Sequence, residues 1–279
     1  MAVTVESIGS ASSNTSGTGI NLNAPAGVAV GDLLLAHCLG DTSWDTPSGW
    51  AQIQAATSGR SLAAFYKIAE AGDVGAGTFA FSTTGSGAKG GRVYRISGHD
   101  TASPIGASSV GTQANSTTVS TAAITPAAAS SLIMILVGAS SGGAARTCSG
   151  YTLATSSPTF TEHYEDQWDG NNNFISAASG IRSAATSTGT ASATLDGTDP
   201  NVGIVLAITP LTTNASITMP VATIAITAPN FSLSVSASVS VGVLSVAVTT
   251  LAPAIAVTNN PWSTVSKSSD GTWTTTSKS

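Results

Sequence analysis

The side chains that could do chemistry in this chain are concentrated in one stretch. Glu162-His163-Tyr164-Glu165-Asp166-Gln167-Trp168-Asp169-Gly170-Asn171-Asn172-Asn173 gathers carboxylates, amides and aromatics in a protein of which only 8% is charged. Asp169, Asn171 and Asn173 have the D-x-N-x-N spacing of a calcium loop, in which alternate side-chain oxygens converge on one cation. Phe174 stands where an EF-hand needs Gly, and Gly180 where it needs Glu, so an EF-hand is excluded. A looser calcium site on the same three residues stays open. Tyr164 and Trp168, beside carboxylates, have the make-up of a surface that stacks on a host glycan or meets a neighbouring subunit. The third reading of the stretch is a solvated loop between strands.

Other chemistry is present in appearance only. Gly138-Ala139-Ser140-Ser141-Gly142 matches the G-x-S-x-G nucleophile elbow, which has meaning only at a strand-to-helix turn. Here Gly143-Ala144-Ala145-Arg146-Thr147 follows and reads as loop. A glycosidase needs two carboxyl groups about 5–10 Å apart across a cleft, and the 162–169 cluster places its carboxylates on one short segment. No catalytic residue and no cofactor is expected, so the chain reads as a non-enzyme. Cys38 and Cys148 read as unpaired thiols, a disulfide being the alternative, and with three scattered histidines they make no zinc site. His37 lies in an apolar run and reads as a hydrogen-bonded core residue; His99 reads as part of a turn.

Composition narrows the function classes. Net charge is −5 with no Lys/Arg cluster, so the electrostatic footprint of a nucleic-acid binder is missing. The longest apolar run, around Leu132–Val137, is far shorter than the ~20 residues of a spanning helix. No membrane partner is expected. Residues 1–10 carry neither a basic n-region nor an apolar h-region, so synthesis as a soluble cytoplasmic product without a signal peptide is expected.

The elements that must position these residues are strands. Ser, Thr, Ala and Gly fill the place of the missing charges, and small β-formers with abundant Gly point to an all-β fold. Residues 1–210 read as two divergent copies of one unit, about 1–103 and 104–210. Leu33-Leu34-Leu35-Ala36 and Leu132-Ile133-Met134-Ile135 lie 99 positions apart. Pro47-Ser48-Gly49-Trp50 matches Cys148-Ser149-Gly150-Tyr151, and Gly77-Thr78-Phe79-Ala80-Phe81 matches Gly189-Thr190-Ala191-Ser192-Ala193. Gly91-Arg92-Val93-Tyr94-Arg95-Ile96 pairs with Val202 to Ile208. The expectation is an antiparallel β-sandwich, jelly-roll-like, with its two halves sharing one core. Trp50 and Tyr151, at equivalent positions, are expected to plug that core, and Trp44 with them.

The remainder is different. From Pro200 to Ser266 there is no Asp, Glu, Lys or Arg. Within it Phe231, Leu233, Val235, Ala237, Val239 and Val241 alternate with small residues, the mark of strands with one apolar face. Charges are the usual defence of strand edges against pairing, so residues 211–259 are expected to pair between copies of the chain. The tail, 260–279, repeats with period eleven: Trp262-Ser263-Thr264-Val265-Ser266-Lys267, then Trp273-Thr274-Thr275-Thr276-Ser277-Lys278. Trp262 and Trp273 are expected to anchor the chain.

Gly31-Asp32-Leu33-Leu34-Leu35, Pro47-Ser48-Gly49-Trp50, Ala63-Ala64-Phe65-Tyr66-Lys67-Ile68-Ala69 and Gly91-Arg92-Val93-Tyr94-Arg95-Ile96-Ser97-Gly98 together resemble a module of tailed-bacteriophage and prophage structural proteins. The Pro-punctuated repeats and the paired Trp motifs are similar to the C-terminal parts of such proteins. The resemblance implies a virion component on head or tail: a decoration, a head fibre or a tail-associated adhesin. The expected partners are other copies of the chain, as a homotrimer, and major capsid or tail proteins. The competing expectation is a tail adhesin that binds host-surface carbohydrate.

Overall fold

The computed structural model describes residues 2–211, 264–267 and 273–276. The chain divides into two units, Met1–Ile217 and Thr218–Ser279. Apart from a single 3-10 turn at Ala71–Asp73, every described element is a strand.

In the first half of the larger unit these are β1 (Thr4–Ile8), β2 (Ser12–Asn14), β3 (Gly19–Asn23), β4 (Leu33–Gly40), β5 (Ala51–Ser58), β6 (Arg60–Ile68), β7 (Thr78–Ser82) and β8 (Lys89–Ser97). The second half has β9 (Ile105–Thr121), β10 (Ser131–Ser140), β11 (Cys148–Leu153), β12 (Thr161–Trp168), β13 (Asn173–Arg182) and β14 (Ala191–Ile208). One six-stranded sheet runs β1-β8-β4-β6-β5, with β2 also on β8. The other runs β11-β14-β10-β13-β12, with β9 also on β14. All pairs are antiparallel.

The two sheets share a wiring. β4 is flanked by β8 and β6 as β10 is flanked by β14 and β13. The first half adds a separate two-stranded layer, β3 with β7. In the second half the same layer is made by the ends of longer strands. Residues 118–121 of β9 and Cys148–Leu153 both pair with 191–195 of β14, which then breaks register between Thr194 and Asp199 and continues into the main sheet. Even the entry turns agree: Gly31 has φ 90° and Ser130, 99 positions on, has φ 60°. A non-glycine residue adopts this left-handed conformation only with some strain, so the two turns share a geometry that their residue types alone do not require.

The shared core expected above is present, and among the described residues two further cores flank it. Leu33, Leu35 and Leu39 on β4 meet Leu132, Met134 and Leu136 on β10 in a central one. The opposite face of β4, Leu34, Ala36 and Cys38, packs under the β3–β7 layer with Trp44, Trp50, Phe65, Phe79 and Phe81. The opposite face of β10, Ile133, Ile135 and Val137, packs with Val119, Cys148, Leu153, Ala191 and Ala193. Tyr151 borders this third core, as Trp50 lies in the second. Four layers cover both faces of β4 and β10, which is why these two strands are apolar without alternation. The central sheets approach closely: a Cβ on Gly138 would meet Leu39 Cδ1 at 2.6 Å and Leu62 Cδ1 at 2.9 Å.

In the smaller unit the described residues are two short strands, β15 (Thr264–Lys267) and β16 (Trp273–Thr276), which pair antiparallel with Lys267 opposite Trp273. The described parts of the two copies of the eleven-residue repeat therefore pair with each other. Residues 212–263, which hold most of the charge-free run and Trp262, lie outside the described residues, as do the assembly and anchoring roles expected there.

Candidate functional site at the junction of the repeats

The polar stretch 162–173 is a β-hairpin, not the solvated loop that its composition suggests. β12 and β13 pair from Thr161 opposite Ser179 to Trp168 opposite Asn173, with a register shift between Glu162 and Tyr164. The turn at Asp169–Asn172 takes positive φ at Asp169 (58°), Gly170 (61°) and Asn171 (66°). Asp and Asn tolerate that region better than other non-glycine residues, and this accounts for their types. Asn172 closes the turn by donating its backbone N–H to Asp169 O at 3.2 Å and Nδ2–H to the same oxygen at 2.7 Å.

Asn173, the third member of the calcium-like spacing, is fully buried, and its Oδ1 accepts from Arg60 Nε at 2.9 Å. Arg60 Nε also lies 3.1 Å from Asp41 Oδ1. A guanidinium thus already occupies the oxygen a cation would use. Among the described residues no three His, Cys, Asp or Glu side chains come together as a metal site.

Beyond the register shift, Tyr164, Asp166 and Trp168 share the face of β12 that is turned to the first repeat. Tyr164 and Trp168 are each only 8% exposed and belong to the central core. Their rings are covered and are not offered to a sugar or to a partner, which corrects the stacking role inferred from composition. Tyr164 Oη and His37 Nδ1 are hydrogen-bonded at 2.7 Å. Arg92 on β8 lays its guanidinium 4.7 Å from the centre of the Tyr164 ring. The same guanidinium donates to Asp166 twice, Nε to Oδ2 at 2.5 Å and Nη2 to Oδ1 at 2.8 Å, the fork geometry of a strong charge-assisted pair. Its Nη1 donates to Gly9 O at 3.1 Å. Tyr94 stacks beside Tyr164, ring centres 5.8 Å apart, and meets His163 edge-on at 5.6 Å. Trp168 lies over Gly90, where a Cβ would come within 2.9 Å of the indole.

Electrostatics follow from burial. Desolvation pushes the Tyr94 and Tyr164 phenols well above their usual range and lowers His37 to about 3. The hydrogen bonds to Asp166 raise Arg92 further above its normal value, against a smaller effect of burial. His163 is lowered by burial and bonds Ser179 Oγ through Nε2 at 2.8 Å. At neutral pH the cluster therefore holds one ion pair among neutral phenols and imidazoles. His37 is a fully buried core residue whose imidazole burial keeps neutral. What the arrangement does is tie β12 of the second repeat to β4 and β8 of the first. The reverse tie runs from β5 to β9: Gln54 Nε2 donates to Ser108 Oγ at 3.1 Å, and Ser58 Oγ to Gln113 O at 2.6 Å.

The remaining sequence features also resolve into structure. Ser140 ends β10 opposite Asn173, and the chain turns through Gly142 (φ 60°) and Gly143 (φ 88°) with no helix after it. Ser141 is buried and its Oγ donates to Asn171 O. The G-x-S-x-G match is a strand end, not an elbow. Cys38 and Cys148 are buried free thiols in different cores. His99 is buried and bridges Pro210.

Two cations play a part that residue patterns did not suggest. Arg182, fully buried, donates through Nη1 to Ala184 O and Thr186 O, both at 2.6 Å, and through Nη2 to Ser187 O at 2.9 Å. Lys89 Nζ donates to Gly17 O at 2.6 Å and Gly87 O at 2.5 Å. Each cation binds loop carbonyls in place of a carboxylate. The only sequence cue was a lone charge at the end of a strand.

No protein family, curated protein or solved structure matches this chain.

Proposed function

We propose that the chain is a non-enzymatic structural component of a bacteriophage virion, an oligomeric and specifically trimeric decoration or fibre protein on the outside of head or tail. The observation that carries this reading is where the reactive side chains go. Tyr164, Asp166, Trp168 and Asn173, the residues best suited to chemistry, all turn inward to bond or pack on the first repeat. The larger unit invests its polar groups in rigidity, which suits a particle component. Its sequence motifs resemble phage structural proteins, and the charge-free run up to Ser266 suits pairing between copies. Partners under this reading are further copies of the chain and the capsid or tail proteins beneath them. The carbohydrate reading loses its two aromatic candidates to the core.

Deleting residues 211–279 tests the proposal. Native mass spectrometry should show a trimer for the full chain and a monomer for the truncated one, and purified particles should lack the truncated form. An unchanged mass and unchanged incorporation into particles overturn it.

A further inference from the structure

One strand edge in the first repeat is open where the second repeat closes its own. In the second repeat β11 pairs with the outer part of β14, Cys148 opposite Leu195 through Leu153 opposite Ala191. The first repeat starts the same pairing: Trp44 bridges Thr83, and Asp45 N donates to Ser82 O at 3.0 Å. There it stops. Pro47 has no N–H to continue a ladder, and the chain turns away through Gly49 (φ 78°) into Trp50. The other edge of β7 is held by β3. Ala24 N donates to Gly77 O and Thr83 N to Thr18 O, so the alternation of an antiparallel ladder aims the backbone N–H and C=O groups of Phe79 and Phe81 at β3. The N–H groups of Thr78, Ala80 and Ser82, and the carbonyls of Thr78 and Ala80, face the other way. Among the described residues no partner bonds them. The edge opens on a groove of about 530 Å³ lined by Pro47, Trp50, Asp73, Ala76, Phe79 and Phe81. Its rim charges, Lys67 and Asp73, neutralise one another at 2.8 Å.

We propose that this groove receives a strand from a second copy of the chain, drawn from the run Phe231–Val241. β11 shows what fits at the equivalent edge: an extended, uncharged segment with Cys148 and Leu153 turned into the core. Phe231–Val241 alternates apolar residues with Ser throughout, without Pro or charge. Covering Thr78–Ser82 takes five residues, about 17 Å of strand. In strand addition the main chain supplies affinity and alternate side chains supply specificity. Each copy gives one strand and receives one, a head-to-tail exchange that closes into a ring. The inference rests on the assembly role proposed above and names the surface that carries it.

Hydrogen exchange on the full-length protein tests it, read at the amides of Thr78, Ala80 and Ser82. In the wild-type oligomer these amides should exchange roughly 100-fold more slowly than in a Val235→Asp/Val239→Asp variant, whose mass should fall to that of a monomer. Ala80→Pro, which removes one N–H from the open edge alone, should also yield monomer while β4 amides stay protected. A wild-type oligomer whose three amides exchange as fast as the variant's overturns the docking and leaves the assembly reading standing. A wild-type monomer with slow amides overturns both, since the strand then comes from the same chain.

Discussion

Replacing Asp166 with Asn removes the charge that faces Arg92 while keeping the shape of the side chain. The pair is bidentate at 2.5 and 2.8 Å, and its two side chains are 20% and 14% exposed. With charge centres ~4 Å apart and an effective dielectric near 20, the attraction is about 4 kcal/mol. Partial solvation screens some of it, and Asn retains one acceptor, so the expected loss is about 2–3 kcal/mol, below the 3–5 of a fully buried pair. For a unit of this size that lowers the melting temperature by about 5–10 °C. Urea unfolding of Asp166→Asn, Arg92→Met and the double variant, followed by circular dichroism, is the assay. The double variant should lose less than the two single losses combined, because no unpaired guanidinium is left against the Tyr164 ring. A loss below about 0.5 kcal/mol, the level of an exposed pair, or strict additivity, refutes the idea that this contact joins the repeats.

His37 gives a pH test. Its folded value of about 3 lies below an unfolded value near 6.5. The stability it contributes is complete above pH 6.5 and drains as pH falls toward 3, at about 1.4 kcal/mol per pH unit. His37→Gln should reduce the slope of stability against pH between 6 and 4 by one proton; an unchanged slope contradicts a neutral buried imidazole. Burial raises Cys38 and pushes Cys148 up to about 12, so a thiol reagent should label neither in the folded protein and both in denaturant. Rapid labelling under native conditions shows that a core is open. Arg182→Met leaves the carbonyls of Ala184, Thr186 and Ser187 without their donor and should cost about 2–4 kcal/mol; proteolysis should then cut first at 183–190, and a protected loop counts against the cage.

The strands at the centre of each sheet are legible in the sequence because burial on both faces writes itself as an apolar run, Leu33–Leu39 (broken only by His37) and Leu132–Val137. Their 99-residue spacing also survives in the φ angles of Gly31 and Ser130. The number of cores is less legible, since a run buried on two faces does not say what covers each. The hairpin at 162–173 was masked by its charges. Asp166 sits on a strand because Arg92 neutralises it, and that partner is 74 residues away. The alternation Tyr164, Asp166, Trp168 was the available signal, and a polar residue in the middle hid it. Cages built on carbonyls leave only the lone cation as a signal, because every residue has a carbonyl and none marks itself as a partner.

Those cages hold in acid. The carbonyls around Arg182 and Lys89 have no proton to gain, so a fall in pH does not free either cation. The loops they close, at Gly17, Gly87 and Ala184 to Ser187, should stay shut for as long as the cores beneath them stay packed.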